Sequence, residues 1–368
     1  MNNNLSLIGY RMPAEWELQE SVWIAWPYNK SDWPGLFKNI PKVVAQIISE
    51  LSRSQKINLL INNYNDKKKI INLLSKFPNN LQNIIFYKIT TNRIWLRDSG
   101  PIYIINQKTK KKLIVNFKFN AWSKYKDYKK DNNINNKLSK LTKVKKIDPV
   151  VKINNKSKQL VLEGGAIDVN GKGSVLLTKE CLLSKVQERN PGITKKSLEK
   201  TLSKYLNVKN FIWLNKGIKG DDTHGHIDDI SRFVSKDTIM TAVEKNKNEK
   251  NYKNLKENLN ILKNAKNINK RKFKIIEVPM PKPIYIEKVR VPASYLNFYI
   301  ANKVVLLPIF KDKNDKKVIL IFKKFFKNKK IVPIDCTKLI WGFGAIHCMT
   351  QPEPKIYSIL ALKYQEEF

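Results

Sequence analysis

The chain has 368 residues, 42% of them apolar, and 70 basic against 31 acidic side chains, a formal charge of +39. That apolar share suffices for a large buried core and excludes a disordered tail. No apolar run approaches membrane-spanning length, and Met1 to Tyr10 lacks the basic start and long apolar stretch of a secretory leader, so a soluble, cytoplasmic protein with no membrane partner is expected.

In chain order, apolar residues at helical spacing predict helices over Val43–Leu51 and Lys68–Leu74, each beside an apolar strand run, Ile57–Ile61 and Ile84–Ile89. Asp98 then leads into two apolar runs joined by a polar turn, Ile102 to Phe117. The lysine- and asparagine-rich stretch from Lys124 to Lys146 reads as a linker. Glu163 leads into Ala166 to Thr178, turning at Asn170-Gly171, and Asp228 leads into Ser231 to Val243, turning near Ser235-Lys236-Asp237. Within Glu244 to Lys272, Tyr252, Leu255, Leu259 and Leu262 mark an amphipathic helix with a lysine-rich outer face. Asn297 leads into the last pair of runs, Phe298 to Phe310, turning near Asn302-Lys303. Alternating helices and strands indicate an α/β protein.

The four residues that precede the paired runs are 65, 65 and 69 residues apart. Near-equal spacing predicts a repeated supersecondary unit. Units set in a ring would carry Asp98, Glu163, Asp228 and Asn297 to one axis and build a single site there.

The chain holds only three histidines and three cysteines. Two histidines share Thr223-His-Gly-His-Ile-Asp228, and the third adjoins Cys348. A thiol and an imidazole drawn from distant segments suit nucleophilic catalysis, the thiolate attacking and the imidazole moving protons. Carboxylates beside a thiolate suit a planar cation with a fork of N–H donors, which makes a guanidinium the expected target of Cys348, His226, Asp98, Glu163 and Asp228. Cys181 and Cys336 read as small core residues, and no disulfide framework or CxxC metal spacing is present. His224, His226 and Cys348 as zinc ligands, and Glu163 as a turn cap, are the competing structural readings.

Only eight of the basic residues are arginine, and the lysine excess runs with asparagine and isoleucine through every loop. This pattern resembles compositional drift more than a binding face. No helix-turn-helix, zinc or aromatic RNA-binding motif accompanies it, so no specific nucleic-acid partner is expected.

Arg11-Met-Pro-Ala-Glu-Trp-Glu17, Trp26-Pro27, Trp33-Pro-Gly35, Trp95-Leu-Arg-Asp-Ser-Gly-Pro101, Phe119-Asn-Ala-Trp122, Leu162-Glu-Gly-Gly165, Asp221-Asp-Thr-His-Gly-His-Ile-Asp-Asp229, Ala293-Ser-Tyr-Leu-Asn-Phe-Tyr299 and Ile346-His-Cys-Met-Thr-Gln351 together resemble the agmatine deiminase family, in that family's order. The resemblance runs nearly end to end. It implies a pentein fold, a five-bladed α/β propeller of ββαβ units, as one catalytic domain over residues 1–368. It also implies hydrolysis of agmatine to N-carbamoylputrescine and ammonia, a step of putrescine biosynthesis, without metal or organic cofactor. Cys348 would be the nucleophile that forms a thiouronium, His226 the proton carrier, Asp98 and Asp228 the guanidinium clamp, and Glu163 the carboxylate that orients the histidine. Trp95 and Trp122 are candidates to cover the methylene chain and Asp221 or Asp222 to receive the far ammonium, with Asn297 a further substrate contact. His224 and His347 would be structural.

The chain departs from the family at Gly342-Phe-Gly-Ala345 and at Trp122-Ser-Lys, where glycine-rich segments are usual. Phe343 would crowd a loop or force a backbone angle that glycine adopts easily. A peptidylarginine deiminase and a decayed relative acting as a basic binding protein are the alternatives, and assembly into a homo-oligomer is left open.

Overall fold

The computed structural model describes residues 7–357. The expectation about a leader rests partly on residues 1–6, which lie outside that range.

Among the described residues, five sheets are built the same way: an antiparallel pair, then a crossover helix, then a third strand parallel to the second. Ile102–Asn106 pairs antiparallel with Lys111–Val115, which runs parallel to Lys146–Ile147. Asp168–Val169, Ser174–Thr178 and Asn210–Leu214 repeat the pattern, as do Ser231–Ser235, Thr238–Val243 and Lys274–Pro279, and then Tyr299–Ile300, Val304–Ile309 and Lys330–Asp335. The remaining sheet joins both ends of the chain. Gln351–Pro354 pairs antiparallel with Gln19–Ala25, which is parallel to Lys56–Ile61 and, through it, to Ile84–Lys88.

Parallel neighbours need a long crossover, and a helix supplies each one: Ile40–Ser52, Lys67–Leu74, Ile134–Thr142, Lys195–Leu206, Tyr252–Asn264 and Asp315–Phe325. The stretch expected as a linker is therefore part of a repeated unit. Its helix buries only Ile134, Asn135 and Leu138, too thin a stripe to stand out among lysine and asparagine. The amphipathic helix lies where its spacing predicts, with one change of face. Asn258 rather than Leu259 is fully buried, because its side-chain oxygen accepts from Asn215 N at 2.9 Å while its amide donates to Lys216 O at 2.8 Å.

Each antiparallel pair is preceded by a single tight turn. Leu96–Ser99, Gly164–Ala166, Ile227–Asp229 and Ile346–Met349 are one-turn helices, and Ser294 to Asn297 makes the corresponding turn through Asn297 N to Ser294 O. The first two of these segments pack on each other, Gly164–Ala166 packs on Ile227–Asp229, and Ile346–Met349 packs back on Leu96–Ser99. Asn297 completes the circuit through Asp229 and Cys348. Close approach dictates glycine at 165, where a Cβ would lie 2.6 Å from His226 Nδ1 and 2.8 Å from Asp98 Oδ1.

Beneath these turns Glu15 ties the units together. Its carboxylate accepts from Arg97 at 2.7 Å, Arg232 at 2.8 Å, His347 Nε2 at 2.9 Å and the backbone N–H of Ile300 at 2.9 Å. Burial alone would raise its pKa, but Arg232, His347 and Arg97 hold it well below the ordinary value of 4.5. Its contribution to stability is therefore complete above that value and is lost as pH falls through the depressed one. Replacing Glu15 by alanine leaves buried Arg97 without its acid partner and takes one of two from Arg232, which keeps Asp168, and should cost about 3–5 kcal/mol in urea denaturation at neutral pH. A loss under about 1 kcal/mol would show that Glu15 is not the tie.

Candidate active site

The five turns bring Asp98, Glu163, Asp228, Asn297 and Cys348 together, and His226 enters from the residue before the third turn. His226, Glu163 and Asp228 have no exposed surface, and Asp98 and Cys348 are each 6% exposed. The Asp228 carboxylate stands between thiol and imidazole. Its Oδ2 lies 3.7 Å from Cys348 Sγ and its Oδ1 lies 3.9 Å from His226 Nδ1. Asp98 Oδ1 approaches the same Nδ1 at 3.9 Å, and Glu163 Oε2 lies 3.7 Å from Nε2.

The Cys348 thiol donates to Asp228 Oδ2, whereas the separations from His226 are too long for hydrogen bonds, and both ring nitrogens of His226, Glu163 Oε2 and Asp228 Oδ1 are buried without a hydrogen-bond partner. Orphaned polar atoms are costly, so four of them facing one another mark a place built to hold a polar ligand. The surrounding atoms are fixed. Gly165 N and Trp122 Nε1 donate to the two oxygens of Asp98 at 3.0 and 2.9 Å, and Arg189 donates to Glu163 Oε1 at 3.1 Å. His347 Nδ1 sits 2.7 Å from Asp228 Oδ2, linking the site to Glu15. Asn297 donates to Cys348 Sγ at 3.0 Å and to Asp229 at 3.0 Å.

Charge is distributed unevenly over this cluster. Burial raises Asp98 to about 6, helped by Asp228 and Glu163 and opposed by His226. Burial also favours a neutral Glu163, but Arg189 and His226 outweigh it and hold that group at about 2. His226 is raised well above its ordinary value, since Asp98 and its other neighbours overcome a burial penalty that acts the other way. Cys348 is pushed well above the usual thiol value by burial and then by Asp228, Asp229 and Asp98. The resting pair is thus an imidazolium beside a neutral thiol.

A cavity of about 460 Å³ opens onto the cluster, lined by Asp98, Cys348, Trp95, Trp122, Trp341, Phe343 and, among other residues, Asp32, Arg93, Tyr125 and Asp222. Trp95 and Trp122 line this cavity. The Asp221 carboxylate is spent on the backbone N–H groups of Thr223, Gly225 and His226 at 2.8, 2.7 and 3.0 Å, bracing the loop that carries the histidine. Asp222 lines the cavity but is paired with Lys124 and accepts from Tyr125 OH at 2.8 Å. His224 turns to Ser184 at 3.2 Å, so the zinc set of His224, His226 and Cys348 is not assembled. Cys181 packs in the apolar core as expected, yet its sulfur also comes within 4.8 Å of the ligand atoms of Glu163 and His226. Glu163 faces the histidine and is no turn cap.

Both departures from the family pattern take positive φ. Ala121, Trp122 and Ser123 have φ of 51°, 59° and 54°, and Phe343 has 62°. Left-handed backbone at bulky residues is strained, and here it aims two aromatic rings at one cavity. Sequence reasoning missed Glu15, Arg97, Arg189 and Asp229, although the scarcity of arginine in so lysine-rich a chain is a signal for the guanidiniums.

Residues 11–354 match the model of the Porphyromonas-type peptidyl-arginine deiminase family. A Legionella pneumophila (strain Paris) protein named "Putative agmatine deiminase" is 33% identical, the alignment covering 98% of this chain and 99% of that one. The structure of a cysteine-to-serine variant of C. jejuni agmatine deiminase with substrate bound superposes with a TM-score of 0.82 at 31% identity, covering 96% and 99% of the two chains. Agmatine deiminase of Enterococcus faecalis gives 0.84 at 28% identity, with 95% and 97% covered.

If carboxylates hold the thiol in its neutral form, Asp228→Asn should speed iodoacetamide alkylation of Cys348 at pH 8 several-fold. A rate unchanged or slowed by the substitution would contradict that electrostatic account.

Proposed function

Because the chain belongs to the Porphyromonas-type peptidyl-arginine deiminase family, we propose that it is an agmatine deiminase, a hydrolase of the C–N bond of a linear amidine. Agmatine and water become N-carbamoylputrescine and ammonia, a route from an arginine derivative toward putrescine. The observation that carries the reading is the set of four unpartnered buried atoms, on His226, Glu163 and Asp228, beside a thiol. We further propose that the five units close as a five-bladed propeller within one domain spanning residues 1–368, a reading supported by the circuit of contacts among the five turns.

A guanidinium carbon is a weak electrophile and must be held rigidly against a strong nucleophile. Asp98 and Asp228 grip its N–H groups, with Trp95 and Trp122 over the methylenes. The substrate's charge offsets the carboxylates that oppose ionisation of Cys348, so binding lowers the thiol pKa, its proton passes to solvent, where the released ammonia later takes one up, and the nucleophile forms in place. The thiolate attacks the guanidinium carbon. His226, already charged, gives its proton to the departing nitrogen, and ammonia leaves as the C–N bond breaks and a thiouronium remains. Neutral His226 then takes a proton from water, whose oxygen adds to the same carbon. The C–S bond breaks as the adduct's hydroxyl proton passes to the departing sulfur, restoring the neutral thiol and releasing the ureido product. Glu163, anchored by Arg189, keeps the imidazole oriented, and Asn297 steadies the sulfur.

Ammonia release measured on agmatine, arginine and an arginine-containing peptide tests the assignment. Agmatine should be fastest, and faster turnover of the peptide would move the activity to a peptidylarginine deiminase. Cys348→Ala should abolish turnover, by about 10⁴-fold or more, with the circular dichroism spectrum unchanged. Retained turnover would exclude it as the nucleophile. The clamp needs Asp98 ionised, and its raised pKa of about 6 predicts that kcat/KM for agmatine falls as pH drops through that value. A profile flat from pH 7 to pH 5 would remove Asp98 from the clamp.

A further inference from the structure

Two separate groups of acidic residues face the same cavity. The inner one surrounds Cys348. The outer one comprises Asp32, Asp127 and Asp222 with the cations Arg93 and Lys124, so that three acids share two bases. Arg93 commits to Asp127, meeting its carboxylate and its carbonyl at 2.9 Å each, and Lys124 pairs with Asp222. Asp32 is the member left short. Its Oδ1 accepts from Asn29 at 3.0 Å and lies 3.4 Å from Arg93 Nε, while its Oδ2 is buried with no hydrogen-bond partner on a side chain only 8% exposed. Burial raises this acid to about 7, with Arg93 opposing and Asp127 and Asp222 adding to the shift.

Aromatic rings connect the two groups. Trp122 donates to inner Asp98 and meets the ring of Tyr125 edge-on at 6.0 Å, and Tyr125 reaches outer Asp222. Trp95, three residues from Asp98, packs against Trp33, the neighbour of Asp32, with ring centres 5.7 Å apart. A cavity acidic at both ends and apolar between fits a flexible dication. Resting on the agmatine reading, we infer that Asp32 is the subsite for the substrate's primary ammonium, its free Oδ2 taking an N–H while the guanidinium lies by Cys348. An α-carboxylate at that end, as in arginine, would meet Asp32 and Asp222, while Arg93 is already held by Asp127 and Asp32 and Lys124 by Asp222, which gives the site a basis for rejecting amino acids.

The test compares agmatine with n-butylguanidine, which has the same four carbons and no ammonium, in the wild type and in Asp32→Asn. The substitution preserves shape and the contact with Asn29. KM for agmatine should rise about 30-fold or more with kcat within about 3-fold, whereas KM for butylguanidine, or Ki if it acts only as an inhibitor, should stay within about 2-fold. Asp222→Asn should weaken agmatine less than Asp32→Asn does. Equal losses for both guanidines would reduce Asp32 to a structural role, and an unchanged KM for agmatine or a larger effect at Asp222 would put the ammonium elsewhere. A wild type that prefers arginine or an arginyl peptide to agmatine would overturn the agmatine reading itself, a result distinct from any of these.

Discussion

Glu15 holds together what the chain keeps apart. It gathers two guanidiniums, an imidazole and a backbone N–H, and its side-chain partners lie 82, 217 and 332 residues away. An ion cluster of this kind is expensive to bury and strongly directional once buried, so its value lies more in fixing relative positions than in raw stability. Through His347 the same carboxylate reaches Asp228, the residue set between thiol and imidazole. Reactive geometry on one side of the turns therefore depends on a salt-bridged hub on the other.

The electrostatics of the molecule run opposite to its overall charge. A protein with a formal charge of +39 gathers four acids, Asp98, Glu163, Asp228 and Asp229, around one sulfur, and of these Glu163 is paired with an arginine, Arg189. Four of its eight arginines, Arg93, Arg97, Arg189 and Arg232, are buried. Each of these uses the guanidinium's fork of donors to reach two or more partners, which a lysine ammonium in the same place could not do in one plane. Lysine has taken over where only charge and solvation matter. The dominant field near the thiol is thus local and negative, as a cationic substrate requires.

Much of this was legible in the chain itself. Paired apolar runs gave the hairpins, and the polar residues ahead of them, Asp98, Glu163, Asp228 and Asn297, could be found from their near-equal spacing. His226 and Cys348 could be found because histidine and cysteine are so scarce in the chain. Glu15, Arg189 and Asp32 could not, since their meaning lies in partners or in a missing partner across the fold, and no local spacing records either. The helix at Ile134–Thr142 was hidden by the same composition that hides the charge pattern: two aliphatic side chains and a buried asparagine suffice to seat it. Asparagine replaces apolar contact with bonds to loop backbone at several such points, as where Asn190 both donates to and accepts from Val161 at 2.8 and 2.9 Å. Binary patterning treats those residues as surface.

Cys348 is followed, three positions later, by the strand that pairs with Gln19–Ala25. During synthesis the other acidic turns can form as the chain emerges, but the sulfur has no fixed position until that final strand has left the ribosome and found the first. The site is therefore completed late in the nascent polypeptide, since a stop before Gln351 removes the strand that anchors the segment after Cys348 to Gln19–Ala25.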